Sequence, residues 1–346
     1  MIIRVAEALY PIRALPPLNQ TLIIDFHSHF YPKAYLDGLK ESTGHAALET
    51  DSRGRLLLKY AGDYNVVVGG HVSLETRLRD MRKCGVDMQV ITLTTPGVDR
   101  EEPERGAKLA RLTNDAYGDI MDRYPRKFVA LATLPMQDPP AAAEELERAV
   151  KDRGLRGAMI FSNVAGRPID GREFIQVYEK AVKLDVPIFV HPTSPMNAIG
   201  MEDYRLVPIM GFGVDTSLAI LRLVFSGAME RLPRLKLVAT HTGGVFPYLR
   251  GRIAAAYEAY PETRKRISKP PAEYFKRIWL DTVCYDTDVL ASSLAFWGPE
   301  KLLVGSDYPH QIGDLENCVG RVRKLRIGAE QKAEILGDNA AKLLKL

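Results

Sequence analysis

Short apolar runs rich in β-branched residues alternate with longer stretches of helical period along nearly the whole chain, and this alternation restricts the fold more than any other feature. The runs are Leu22–Phe26, Met88–Leu93, Val129–Leu134, Ala158–Phe161, Pro187–Val190, Leu235–Thr240, Ile278–Thr282 and Leu302–Gly305. Between them, LETRLRDMRKCGV (74–86), AAAEELERAVKDRG (141–154), EFIQVYEKAVKLD (173–185) and TSLAILRLVFSGAMERL (216–232) repeat apolar residues at spacings of three and four, and the second ends on Gly154 as a helix C-cap would. Strand then helix, eight times over, calls for parallel strands joined by helical crossovers. Eight is also the number that closes a (β/α)8 TIM barrel, with an open doubly wound sheet as the alternative. Nothing in residues 1–346 reads as a linker, so one barrel domain is expected, and 46% hydrophobic residues supply its core.

Two stretches break the rhythm. Residues 33–72 follow the first strand, with a small hairpin expected over Asp51–Tyr60, and residues 192–213 follow the fifth. Both are too long for ordinary strand-to-helix loops and are read as lids over one end. The first 20 residues interrupt their apolar positions with Arg4, Glu7 and Arg13, which reads as an N-terminal extension rather than a signal peptide. No apolar run approaches 18 residues, which argues against a membrane span. The excess of 47 basic over 43 acidic residues is too small and scattered for a nucleic-acid or membrane surface. Cys84, Cys284 and Cys318 form no CxxC motif and read as reduced thiols of a cytoplasmic protein.

The chemistry sits where the runs end. His27 and His29 close the first run in IIDFHSHF, and residues two apart on a strand share a face. His191 follows VPIFV, His241 follows KLVAT and Asp307 follows KLLVGS. In a barrel those ends ring a single mouth, where unpaired imidazoles and carboxylates are costly unless they share a ligand or a reaction. Such a donor set suits a divalent transition ion, Zn2+ first and Mn2+ or Fe2+ as alternatives, and an imidazole outside the ligand set can move protons near neutral pH. His241 and Asp307 each qualify for that task. Gly211-Phe212-Gly213 reads as a turn rather than a dinucleotide fingerprint, and His45, His71 and His310 read as isolated loop histidines.

On these residues the chain resembles the amidohydrolase superfamily, specifically the decarboxylase branch around aminocarboxymuconate semialdehyde decarboxylase and related aromatic acid decarboxylases. The resemblance is carried by DFHSHFYPK (25–33), RYPRKFVALATLPMQDP (123–139), FVHP (189–192), RLPRLKLVATHTGGVFPYLRGRI (231–253) and LLVGSDYPHQIGDLE (302–316). It implies one metal held by His27, His29, His191 and Asp307, with His241 as catalytic acid/base. It further implies a homodimer in which Arg252 of one subunit reaches the substrate of the other. The lysine that bridges two metals in binuclear relatives is absent from LRGAMIFSN (155–163). The substrate-binding arginine of the first insertion is also missing, with Leu58 or Lys59 in its place. The resemblance thus implies metal-dependent, non-oxidative decarboxylation of an unsaturated or aromatic carboxylic acid. Hydrolysis of a lactone, amide or ester at the same site is the alternative, and a binding protein on a barrel scaffold the third reading.

Overall fold

The computed structural model describes residues 22–40, 46–61 and 63–346; the extension expected over 1–20, and His45, lie outside that range. Eight parallel strands follow the expected order: β1 (Ile24–His29), β2 (Met88–Thr92), β3 (Phe128–Ala130, resuming at Ala132–Thr133), β4 (Ala158–Phe161), β5 (Ile188–His191), β6 (Leu237–Ala239), β7 (Trp279–Asp281) and β8 (Leu302–Leu303). One ladder joins β1, β2 and the first half of β3, and a second runs from the rest of β3 through β8. Within β3, Leu131 donates its N–H to Ile91 O (3.2 Å) and Ala132 to Gly157 O (2.8 Å), so the strand bonds to both neighbours. The return from β8 to β1 has no ladder. Phe26 N–H to Val304 O (2.8 Å), Asp307 N–H to His27 O (2.9 Å) and His29 N–H to Tyr308 O (2.7 Å) make the junction. These bonds complete the ring, so the fold is the (β/α)8 barrel rather than the open sheet.

Both faces of the strands are covered, which is why they read as continuous apolar runs. Phe26 of β1 meets Phe189 of β5 edge to face across the interior, with ring centroids 5.4 Å apart. Phe189 shares that inner cluster with Val90, Met159 and Val238, whereas Ile188 and Val190 pack into the outer one. The C-terminal residues Leu343 and Leu344 also join the inner cluster.

The helix layer holds α1 (Leu74–Cys84), α2 (Pro103–Arg123), α3 (Pro139–Asp152), α4 (Ile175–Leu184), α5 (Phe212–Phe225), α6 (Phe246–Ala259), α7 (Thr287–Trp297) and α8 (Cys318–Lys324). Ser73 caps α1 by accepting the Thr76 N–H at 3.2 Å, and Gly85 ends it at φ 71°. Two expectations fail here. The single helix expected over 216–232 is divided at Gly227, whose φ of 76° starts the separate turn Ala228–Arg231. The turn expected at Gly211–Gly213 is helical, because the wide turns of Val207–Gly211 run directly into α5. The continuous stretch Val207–Phe225 (mean hydropathy 1.5) is long and apolar enough to cross a membrane by length and composition only, with Asp215 and Arg222 interrupting its apolar residues. Ile220, Leu223 and Val224 bury one side of it in the core, while Ile209, Met210, Val214 and Leu218 are exposed.

The first insertion holds a short helix (Lys33–Leu39) and a three-stranded antiparallel sheet (Ala46–Thr50, Leu56–Tyr60, Asp63–Val67), one strand more than the expected hairpin. The second insertion meets it: Arg205 pairs with Asp63, donates to Tyr64 O (3.2 Å) and stacks 4.2 Å from the Tyr64 ring centroid.

Arg77 ties this assembly to the end of β1. Fully buried, it donates to His29 O, to Gly70 O (2.9 Å), to Ser28 Oγ (2.7 Å) and to Gln89 Oε1 (3.1 Å), with its guanidinium 4.9 Å from the Tyr308 ring centroid. An unsatisfied buried acceptor costs roughly 1–3 kcal/mol. Arg77→Leu is accordingly expected to lower stability by about 3 kcal/mol or more, read from urea unfolding. A loss below about 1 kcal/mol would show that water or neighbouring groups replace the guanidinium.

Candidate active site

The C-terminal ends of β1, β5 and β8 bring His27, His29, His191 and Asp307 together. All four are buried, and one ligand atom from each lies within 4.8 Å of every other. Among the described residues this is the one such cluster. A register shift between Asp25 and Ser28 in the β1–β2 ladder re-aims this part of β1, and the His27 and His29 Nε2 atoms end 3.0 Å apart. Asp307 Oδ1 lies 3.3 Å from His27 Nε2 and 3.1 Å from His29 Nε2.

The outward hydrogen bonds fix what faces inward. His27 Nδ1 donates to Asp281 Oδ2 (2.6 Å) and His191 Nδ1 to Pro192 O (2.7 Å); both acceptors lack a proton to give. Thr92 Oγ1 donates to Ser28 O (3.1 Å), so it accepts from His29 Nδ1 at 3.0 Å. With every Nδ1 carrying the hydrogen, three Nε2 lone pairs and a carboxylate converge with no donor among them, and His191 Nε2 is buried with no hydrogen-bond partner among the described residues. Such a set suits a divalent cation, and the carboxylate behind His27 is the usual support for a ligating imidazole. Burial opposes charge on His27, yet Asp307 and Asp281 overcome it and lift its pKa to about 10. Burial drives His29 and His191 well down. Burial also opposes the charge on Asp307, but the neighbouring His27 charge and the imidazole hydrogen bonds hold it well below the usual carboxylate range.

His241 stands on the rim, its side chain 19% exposed, with Nε2 3.6 Å from Asp307 Oδ2. Its ring lies 5.2 Å from His27 and 5.7 Å from His191. The backbone bends to place it there: His241, Thr242, Tyr285 and Asp307 all take positive φ (51°, 53°, 59° and 58°). Residues in this region cost on the order of 1–3 kcal/mol each and gather at functional sites. Asp281 holds the bend by accepting the N–H of His241 (3.0 Å) and of Thr242 (2.9 Å). One carboxylate therefore orients both the His27 ring and the His241 turn.

Arg252 is exposed on α6 and makes no ion pair among the described residues of this one chain. Lys59 points away on its strand and pairs with Glu49 (2.6 Å), whereas Leu58 is buried, so neither brings charge to the mouth. The sequence reading missed Asp281 and Asp25, which lie inside apolar runs rather than past their ends, where Asp307 stands. Asp25 accepts from Gln89 (2.9 Å), from Ser306 Oγ (2.6 Å) and from the His27 N–H (3.3 Å) beneath the cluster. It also missed His71 and His310, which are not isolated: His310 packs on His29 with ring centroids 4.8 Å apart, and His71 is fully buried beside it.

An amidohydrolase family model matches residues 24–346, nearly the whole chain. The chain belongs to the amidohydrolase family. Among relatives of this amidohydrolase is the 2-amino-3-carboxymuconate-6-semialdehyde decarboxylase of Dictyostelium discoideum, 29% identical over 336 residues, 94% of this chain and 92% of that protein. The gamma-resorcylate decarboxylase of a Polaromonas species is 29% identical over 79% of this chain and 87% of its own. Of solved structures, the 5-carboxyvanillate decarboxylase of Sphingomonas paucimobilis superposes with a TM-score of 0.83 at 28% identity, covering 94% of this chain and all of that one. A dihydroxybenzoic acid decarboxylase from Polaromonas, solved with bound manganese and an inhibitor, gives 0.78 at 25% identity, covering 94% and 98%.

Outer carboxylates that orient a ligating imidazole typically contribute 10–100-fold to metal affinity. Asp281→Asn in the amidohydrolase is expected to weaken cation retention by about that factor, read by competition with a chelator. Unchanged retention would remove Asp281 from the support of His27.

Proposed function

We propose that this amidohydrolase is a metal-dependent decarboxylase of an unsaturated or aromatic carboxylic acid. The observation that carries the reading is the pairing of a buried, donor-free cluster with a half-buried imidazole whose Nε2 lies 3.6 Å from the cluster's own carboxylate. His27, His29, His191 and Asp307 would hold one divalent ion. Zn2+ is the first candidate on donor type, with Mn2+, present in the Polaromonas neighbour, and Fe2+ as alternatives. Once bound, the ion supplies Lewis acidity to an oxygen of the substrate. His241 moves the proton: its imidazolium delivers it to the carbon that bears the carboxylate. The bond from that carbon to the carboxylate then breaks, carbon dioxide leaves, and the bonding electrons restore the unsaturated system. Asp307, between His241 and the cluster, holds the imidazole in line. The named relatives are all decarboxylases, which favours carbon–carbon cleavage over hydrolysis.

A second copy of the chain completes this reading. Arg252 is exposed on α6, four residues after the 90% exposed Tyr248, and α6 packs against α5. Residues four apart share a helix face, and a homodimer burying that face would free Arg252 to meet a carboxylate in the partner's mouth.

Carbon dioxide release from a panel of hydroxybenzoates and muconate-type acids tests the reaction, with lactone opening as the contrasting assay. Lactone opening without carbon dioxide release would overturn the reading. His241→Ala is expected to retain its metal by elemental analysis while losing about 10²–10⁴ in rate. His27→Ala should lose the metal itself; a full complement in that variant would remove the ligand assignment.

A further inference from the structure

Two imidazoles flank the buried cluster at its opening. His241 stands on the β6 side, against His27 and His191, and His310 stands on the β8 side, its ring 4.8 Å from His29. Both are half-buried, whereas the four cluster residues between them are buried. Both rings therefore stand against the cluster on its solvent-facing side. The β6 ring has its proton to move; the β8 ring has no task so far.

His310 is built to be held still. Its Nε2 is hydrogen-bonded to Thr94 Oγ1 at 3.2 Å, while its Nδ1 makes no hydrogen bond among the described residues. Behind it, 5.2 Å away, lies the fully buried ring of His71. His71 Nδ1 accepts the Val68 N–H at 3.2 Å, so the imidazole hydrogen sits on Nε2, and that buried N–H has no partner among the described residues. The His71 ring is itself fixed, stacked on Tyr31 at 5.2 Å, and Tyr31 donates its hydroxyl to Thr95 O at 2.6 Å. A buried donor left unpaired is costly and calls for an acceptor nearby.

We propose that His310, backed by His71, is a substrate-contacting specificity residue that hydrogen-bonds an oxygen substituent of the bound acid on the β8 side of the cluster, opposite His241. His71 is a positioning residue in this arrangement: its fixed ring packs 5.2 Å from the His310 ring and limits how that ring can turn. A site built to hydrogen-bond a substrate hydroxyl discriminates strongly against the analogue that lacks it. The inference rests on the decarboxylase reading for the nature of the ligand.

Binding of 2-hydroxybenzoate and of benzoate, which differ by one ring oxygen, is to be measured by calorimetry on the metal-loaded full chain, alongside metal content. The wild-type chain is expected to prefer the hydroxylated acid. His310→Phe should weaken 2-hydroxybenzoate at least tenfold and benzoate less than twofold, with metal content unchanged; His310→Asn should restore part of the difference. His71→Phe should act in the same direction but less. Equal weakening of both acids by His310→Phe, no weakening of either, or loss of metal would each overturn the proposal. A wild-type chain that discriminates between the two acids but releases no carbon dioxide from any substrate would sink the decarboxylase reading and leave this one standing.

Discussion

Four hydrogen-bond acceptors confront one another in a buried space, and much of the protein around the mouth exists to tolerate that confrontation. A cluster of three imidazole lone pairs and a carboxylate repels itself unless a positive charge sits among them. Each ring is locked in that orientation from behind: His27 by Asp281, His29 by Thr92 and His191 by the Pro192 carbonyl. These supports come from three separate elements of the barrel, so the electrostatic demand at the centre is met by contacts spread around the ring.

The same supports set the chemistry of the rim. Asp281 spends its two oxygens on both the His27 ring and the backbone of the His241 turn, coupling the orientation of a cluster residue to that of the group proposed to move the proton. Gly305 permits this crowding, because a Cβ there would come within 2.9 Å of the His27 Cβ and 3.2 Å of the Asp281 Cβ. The left-handed residues on this rim turn the side chains of His241 and Asp307 toward a common point that regular extended strands would not reach.

Much of this was legible in the sequence. The barrel was readable because strands covered on both faces leave uninterrupted apolar runs, and His191, His241 and Asp307 were readable because each ends such a run. Asp25 and Asp281 lie inside their runs, and a strand read for its apolar residues hides the acid within it. His71 and His310 were hidden for a different reason: their loops are 239 residues apart in number, and only the closure of β8 onto β1 brings them side by side. The helical stretch from Val207 was masked by Pro208, Gly211 and Gly213, residues that normally punctuate a chain but are tolerated in the first turns of this one. The third strand of the first insertion escaped because its apolar and polar residues follow no clean alternation.

The junction between β8 and β1 is the thinnest seam in the ring, a few backbone bonds where other neighbours have ladders. It is also where the cluster sits, since the backbone bond from Asp307 to His27 joins two of its members. A cation gripping those side chains would act as a clip across the weakest joint of the cylinder. Loading the centre and tightening the wall become one event, and a chain stripped of its ion would loosen first at the very edge where its reactants enter.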